Sequence, residues 1–273
     1  MKLDAIHIYP VKSIANISLD SSQVRYSGLF DDRRYMLVLA NGNFITARTF
    51  PILTQVKPHY EAGRLTLTYQ ENQISLHCEQ FSQEYKKVKI WGTYVDAQVC
   101  GEAYNTWFSQ LVGKDVELVY FGDKSQRVID SGPEQPIAFA EGYPFLIASK
   151  ASLAALQKIC PEKVNLTQFR ANLIIDDCEA FAEDTWQRFK IGDVIFESVK
   201  PCIRCTLTTI VPETGEFNPQ GEPFKTLKDF RFLNQKGKDK GPTFGMNLIA
   251  LNEGEIKIGD TLEVLSYREA EVY

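Results

Sequence analysis

The residues best suited to chemistry are two cysteines three apart, Cys202 and Cys205, with Arg204 between them, in the run Lys200-Pro201-Cys202-Ile203-Arg204-Cys205. A C-x-x-C spacing serves as half of a zinc site, as a redox dithiol or as a lone functional thiolate. A structural zinc wants a second ligand pair. None exists: Cys160 and Cys178 are too far apart for a knuckle, and His7, His59 and His77 have no ligand spacing among them. A thioredoxin-like dithiol wants its first cysteine at a helix N-terminus, where the dipole lowers the thiol pKa. Here Leu207, Thr208, Thr209, Ile210 and Val211 favour a strand instead, and a strand is expected over Cys205 to Val211. That leaves one cysteine on or beside a strand, with Arg204 available to stabilise its thiolate. A thiolate flanked by cations is a soft metal ligand. A buried structural thiol accounts for a free cysteine equally well at this point.

The longer run Lys200-Pro201-Cys202-Ile203-Arg204-Cys205-Thr206-Leu207-Thr208-Thr209 resembles the signature of the MOSC domain, named for the C-terminal part of molybdenum cofactor sulfurases. More closely, the chain resembles the mitochondrial amidoxime-reducing components and the bacterial relatives that reduce 6-hydroxylaminopurine. Its earlier motifs are Tyr9-Pro10-Val11-Lys12-Ser13, Asp32-Arg33 and Phe44-Ile45-Thr46-Ala47-Arg48. Gly142-Tyr143-Pro144-Phe145, Phe169-Arg170-Ala171-Asn172, Ile191-Gly192-Asp193 and Phe244-Gly245-Met246-Asn247 continue the match in the same order.

The resemblance implies a molybdenum cofactor, a molybdopterin whose dithiolene holds the metal and whose phosphate needs cationic partners. It assigns Cys205 as the metal ligand and catalytic residue. Lys12, Ser13, Arg33, Arg170, Asn172 and Arg204 are the further cofactor-binding candidates. Cys202 is expected to support rather than ligate, because residues three apart point oppositely in a regular strand. Arg48 matches a family position too, with a cofactor contact and a barrel salt bridge both open. Two departures stand out. Ile203 replaces a small polar residue, which leaves only a backbone contact there. Glu141 stands where relatives place an aspartate, and its extra methylene sets it apart from the cofactor-binding candidates.

The elements that must position these residues are mostly strands. Ala5–Tyr9, Tyr35–Leu39, Leu65–Tyr69, Ile74–Cys78, Val88–Gly92 and Tyr94–Val99 alternate in polarity or are rich in β-branched residues. Asn41-Gly42-Asn43 is a hairpin signal, and Glu61-Ala62-Gly63 a weaker one. Tyr104, Trp107, Phe108 and Leu111 recur at helical spacing, predicting a helix over Glu102–Leu111 capped by Gly113. Ser149 predicts the N-cap of a second helix running to Ile159, stopped by Pro161. Further strands are expected at 116–121, 172–175, 194–199, 247–250 and 262–265. The Gly-, Pro- and Ser-rich stretch Asp123–Pro136 is the expected linker, and Lys236–Lys240 an expected solvated loop. The fold expected is mostly β with a few helices: an N-terminal β-rich domain (1–122) and a C-terminal barrel-like MOSC domain (123–273), with the cofactor in the cleft between them.

The chain has 273 residues and a formal net charge of -5, so a nucleic-acid role has no global electrostatic support. No apolar run approaches the roughly 20 residues of a membrane helix, and the first residues read as a strand rather than a signal peptide. Six cysteines in a chain of this size do not make a disulfide scaffold, so the expected location is cytoplasmic. The activity implied by resemblance is reduction of small N-hydroxylated compounds, such as amidoximes, hydroxylamines and N-hydroxylated nucleobases. A cofactor carrier or sulfur-transfer protein without reductase activity is the alternative. No plant-type ferredoxin cysteine spacing and no G-x-G-x-x-G fingerprint is present. Electrons are therefore expected from a separate donor protein, whether ferredoxin-like, a flavin reductase or a haem carrier.

Overall fold

A computed structural model describes residues 1–129, 134–234 and 240–273. The chain is mostly β, with three α-helices among the described residues. Its largest sheet has the strand order Ile17–Leu19, Lys2–Ile8, Leu173–Asp176, Phe145–Ser149, Gly241–Ala250, Val194–Ile203, Trp186–Ile191 and Leu262–Tyr267, with Phe232–Leu233 added beside Gly241–Ala250. Only Phe145–Ser149 and Leu173–Asp176 run parallel, and a parallel pair needs a long crossover. The helix Lys150–Ile159 supplies it, and Ser149 caps that helix by accepting from the Ser152 backbone N–H. The first strand, Lys2–Ile8, pairs with Leu173–Asp176, so this sheet draws on both ends of the chain. Leu3, Ile6, Phe145, Ile147, Leu173, Phe189, Phe196 and Leu248 form the core beneath it.

A four-stranded sheet, ordered Tyr35–Val38, Glu117–Tyr120, Thr93–Val99, Tyr85–Ile90, forms most of the other half. Beside it lies the meander Lys57–Glu61, Arg64–Tyr69, Asn72–Leu76. The helix Glu102–Val112 buries Tyr104 and Phe108 and ends at Gly113, whose φ of 68° is the left-handed cap expected of glycine. Gly42 turns the chain at φ +79°, and a Cβ there would meet the Lys87 carbonyl at 2.7 Å. Few side chains fit that position.

Three expectations change. The strand expected over Cys205–Val211 is a one-turn 3-10 helix, Thr206–Thr209, followed by a two-residue strand, Ile210–Val211. The Thr208 hydroxyl donates to the Cys205 carbonyl at 2.9 Å, and the Thr209 hydroxyl to the Thr206 carbonyl at 2.7 Å. These local bonds compete with a ladder and outweigh the β propensity of threonine. The strand expected to stop at Val199 instead continues to Ile203. It carries a register break between Pro201 and Ile203, so strand alternation does not reach Cys205. Lastly, the linker expected over Asp123–Pro136 is anchored in its described part. Ser125 donates to the Asp96 carbonyl at 2.6 Å, and Arg127 is 5% exposed. Residues 130–133 of that stretch, and 236–239 of the expected solvated loop, lie outside the described residues.

Candidate active site

Lys12, Ser13, Arg33, Arg170, Asn172, Arg204 and Cys205 all line one cavity of about 280 Å³. Arg48, Trp91, Glu141, Cys202 and Leu207 complete much of its wall. Lys12, Ser13, Arg33, Arg48 and Trp91 come from the first hundred residues; Glu141, Arg170, Asn172, Arg204 and Cys205 come from the rest. Four residues of the wall hold the left-handed backbone: Ser13 (φ 77°), Arg33 (φ 48°), Trp91 (φ 51°) and Arg170 (φ 57°). They are four of the nine described non-glycine residues with positive φ. Sparsely populated backbone of this kind costs stability and collects at functional sites.

The wall carries five cations, Lys12, Arg33, Arg48, Arg170 and Arg204, against one carboxylate, Glu141. Each cation lies over an aromatic ring. Arg33 and Arg170 flank the Tyr9 ring at 4.2 and 4.1 Å, and Arg48 lies over Trp91 at 4.9 Å. Arg204 lies 5.5 Å from Phe169, and Lys12 Nζ 5.6 Å from Phe44. Lys12 is buried and donates to Glu141 Oε1 at 2.7 Å and to the Phe139 carbonyl at 3.0 Å. Burial lowers its pKa, and Glu141 pulls the other way. Burial raises the Glu141 carboxyl, but Lys12 and then Arg48 and Arg170 outweigh it, leaving the carboxyl below its ordinary range. Arg33 Nη1 donates to Asp32 Oδ2 at 2.5 Å and Nη2 to the Arg170 carbonyl at 3.0 Å. Arg170 Nη1 donates to the Ile14 carbonyl at 2.6 Å. Burial first, then the Arg33 charge, pulls its pKa down to about 10.

Cys205 is exposed to the cavity, as N-cap of the 3-10 turn. Arg204 does not serve this thiol. Its Nη1 donates to Cys202 Sγ at 2.8 Å and its Nη2 to the Phe169 carbonyl at 2.7 Å. The buried Arg204 Nε has no hydrogen-bond partner among the described residues. Both thiols line the cavity, which corrects the expectation that they face opposite ways. The amide of Asn172 is committed to the scaffold: Nδ2 donates to the His7 carbonyl at 3.0 Å, and Oδ1 accepts from the Leu146 N–H at 3.3 Å. Asn172 thereby ties the first strand to the one beginning at Phe145.

Two family descriptions match this chain: the MOSC N-terminal beta barrel domain over residues 1–115, and the MOSC domain over residues 134–263. Mitochondrial amidoxime-reducing component 1 of Homo sapiens is 33% identical over 274 residues, covering 94% of this chain and 81% of that protein. The chain belongs to the MOSC family. Mitochondrial amidoxime reducing component 2 of Bos taurus is a second relative, 30% identical over 270 residues and covering 93% of this MOSC chain and 80% of its own length.

Two residues escape a reading of the sequence: Trp91, which lines the cavity, and Arg127, which supports the backbone behind it. Trp91 stands at the turn of a strand pair, where aromatic character signals nothing by itself. Arg127 lies in the stretch taken for a linker. Its Nη1 donates to the Ala138 and Ala140 carbonyls at 2.9 and 2.7 Å and its Nη2 to the Glu141 carbonyl at 3.0 Å, fixing the backbone that carries Glu141. Arg48, left between two roles, has no carboxylate within salt-bridge distance among the described residues.

Proposed function

We propose that this protein is a molybdenum-cofactor-dependent reductase of small N-hydroxylated compounds. The observation that supports the reading is the convergence of two cysteines, Cys205 the more exposed, and five cations on a single cavity. The donor set fits the group. Among the described residues there is no cluster of three or more His, Cys, Asp and Glu side chains that could hold a bare metal ion. A dithiolene cofactor would bring most of the ligands of its metal and take one thiolate from the protein. Arg204 Nε and the carboxylate-free Arg170 supply donors that an anionic cofactor tail would satisfy. When bound, the cofactor supplies a two-electron centre that accepts the oxygen of an N–O bond.

The residues divide the remaining work. Cys205 offers its sulfur to the metal. Lys12, Ser13, Arg33, Arg170 and Arg204 hold the cofactor and balance its phosphate. Asn172 keeps the two halves of the wall in register, and Cys202 holds the Arg204 guanidinium. Phe145, Leu146, Phe169 and Leu207 exclude water from the wall and strengthen every polar contact inside. The overall reaction takes R–NHOH, two electrons and two protons to R–NH₂ and water. The electrons come from a separate carrier protein. The six cysteines are all unpaired, which fits a reducing compartment such as the cytoplasm. Among the described residues no helix is long and apolar enough to cross a membrane.

The test is turnover of benzamidoxime by protein produced in cofactor-competent cells and assayed with a chemical reductant. Turnover there, and none with NAD(P)H as sole donor, is expected. Stoichiometric molybdenum and pterin without turnover would replace the reductase with a cofactor carrier.

A further inference from the structure

Four of the five cations in the wall have at least one terminal nitrogen engaged by an acceptor of the protein. Lys12 holds Glu141 and a carbonyl, Arg33 holds Asp32 and a carbonyl, Arg170 holds a carbonyl, and Arg204 holds Cys202 and a carbonyl. Arg48 differs. Among the described residues its guanidinium has one polar contact, Nε to Thr46 Oγ1 at 3.4 Å, and it lies 4.9 Å over the Trp91 ring. The Glu141 carboxylate, which Arg48 influences through space, is bonded to Lys12 instead. Its two terminal nitrogens keep the planar fork that matches an oxyanion.

Trp91 is built to hold that guanidinium in place. It sits with Gly92 at the turn between the strands Tyr85–Ile90 and Thr93–Val99. Its φ of 51° is a conformation in which Asn or Gly is at ease and a bulky aromatic is rare. The ring is 41% exposed and meets Phe44 edge-on at 5.2 Å. A strained, exposed tryptophan is costly, and Arg48 is what its face holds.

We propose that Arg48, positioned by Trp91, binds an oxyanion substituent of the substrate, a carboxylate or a phosphate, on the exposed side of the cavity. The protein would thus prefer N-hydroxylated substrates that carry such a group. The inference rests on the reductase reading for the identity of the N-hydroxylated group. The other four cations serve the cofactor, and Arg48 is left for the molecule that comes and goes.

The experiment measures binding of benzamidoxime, 4-carboxybenzamidoxime and 4-phosphonobenzamidoxime to the cofactor-loaded protein by calorimetry, with turnover recorded in parallel. A bidentate charged contact strengthens binding of the anionic forms over the neutral one by about ten- to a hundredfold. Arg48→Gln brings that ratio close to one, Trp91→Ala lowers it, and Trp91→Phe, which keeps a ring, retains most of it. The ratio cancels any general loss from packing, and comparing the two anions separates a carboxylate site from a phosphate site. A wild-type ratio near one, or a ratio that survives Arg48→Gln, overturns the proposal. A ratio that behaves as expected without turnover would sink the reductase reading and leave the anion site standing.

Discussion

Arg170 separates a residue that holds the fold from one that holds a ligand. Replacing it with methionine keeps most of the volume and removes the charge. The pKa displacement from 12.5 to about 10 corresponds to about 3 kcal/mol against the charged form in the folded chain. That figure is an upper limit, since part of the guanidinium faces solvent in the cavity. Against it stand one charge-assisted hydrogen bond to the Ile14 carbonyl, about 1.5–3 kcal/mol, and the contact with the Tyr9 face, about 0.5–2 kcal/mol. The opposing contributions nearly cancel. Cofactor-free Arg170→Met should therefore unfold in urea within about 2 kcal/mol of the wild type. A phosphate that loses one charged partner loses about 1.5–3 kcal/mol of binding. The variant made in cofactor-competent cells should accordingly carry much less pterin and molybdenum per folded chain. A cofactor-free variant destabilised by more than about 4 kcal/mol, with full pterin in its folded fraction, would refute the reasoning and make Arg170 structural.

Two further outcomes follow from the same geometry. Cys205→Ser should lose the molybdenum signal and all turnover, whereas Cys202→Ser should keep substantial turnover, because only Cys205 is free of an arginine contact; the reverse pattern in metal analysis would swap the two roles. Glu183, 1% exposed and bonded by Ser149 and Ser152, has its pKa raised by burial over those donors. The folded chain then binds its proton more tightly than the unfolded chain, so this residue adds stability as pH falls towards 4.5, its ordinary value. Glu183→Gln should remove that rise, and parallel urea-midpoint profiles for variant and wild type between pH 7.5 and about 4.5 would count against it.

Much of this site is legible in the sequence because its residues travel in short motifs. Lys12 and Ser13 follow the first strand, Arg170 and Asn172 precede a later one, and Arg204 and Cys205 follow a third. Strand edges are where a sheet delivers side chains to a cleft, so finding the edges finds the site. Helix ends were equally plain: Ser149 and Gly113 cap where their chemistry says they should. What stayed hidden depends on three-dimensional neighbours. β-Branched residues after Cys205 argue for a strand until the threonine hydroxyls close onto carbonyls three residues back. Arg127 sits in a stretch of turn-forming composition, and nothing local shows that its guanidinium will be buried under the backbone of Glu141. Trp91 reads as one more aromatic in a β-rich half.

The way the five cations are held also favours an anionic occupant over a structural charge network. Like charges crowded around one cavity repel, and the usual remedy is a carboxylate for each. Among the described residues only Lys12 and Arg33 have one, while all five have a ring: Tyr9 for two of them, and Phe44, Trp91 and Phe169 for the rest. A carboxylate partner would neutralise the guanidinium and compete with an incoming phosphate. An aromatic face stabilises the cation and fixes its plane, yet leaves the charge unspent. With a net charge of -5, the chain has acidic residues enough to pair every one of these cations, yet one carboxylate, Glu141, lines the cavity. The positive excess of the wall is therefore local, and the proposed anionic cofactor would offset it.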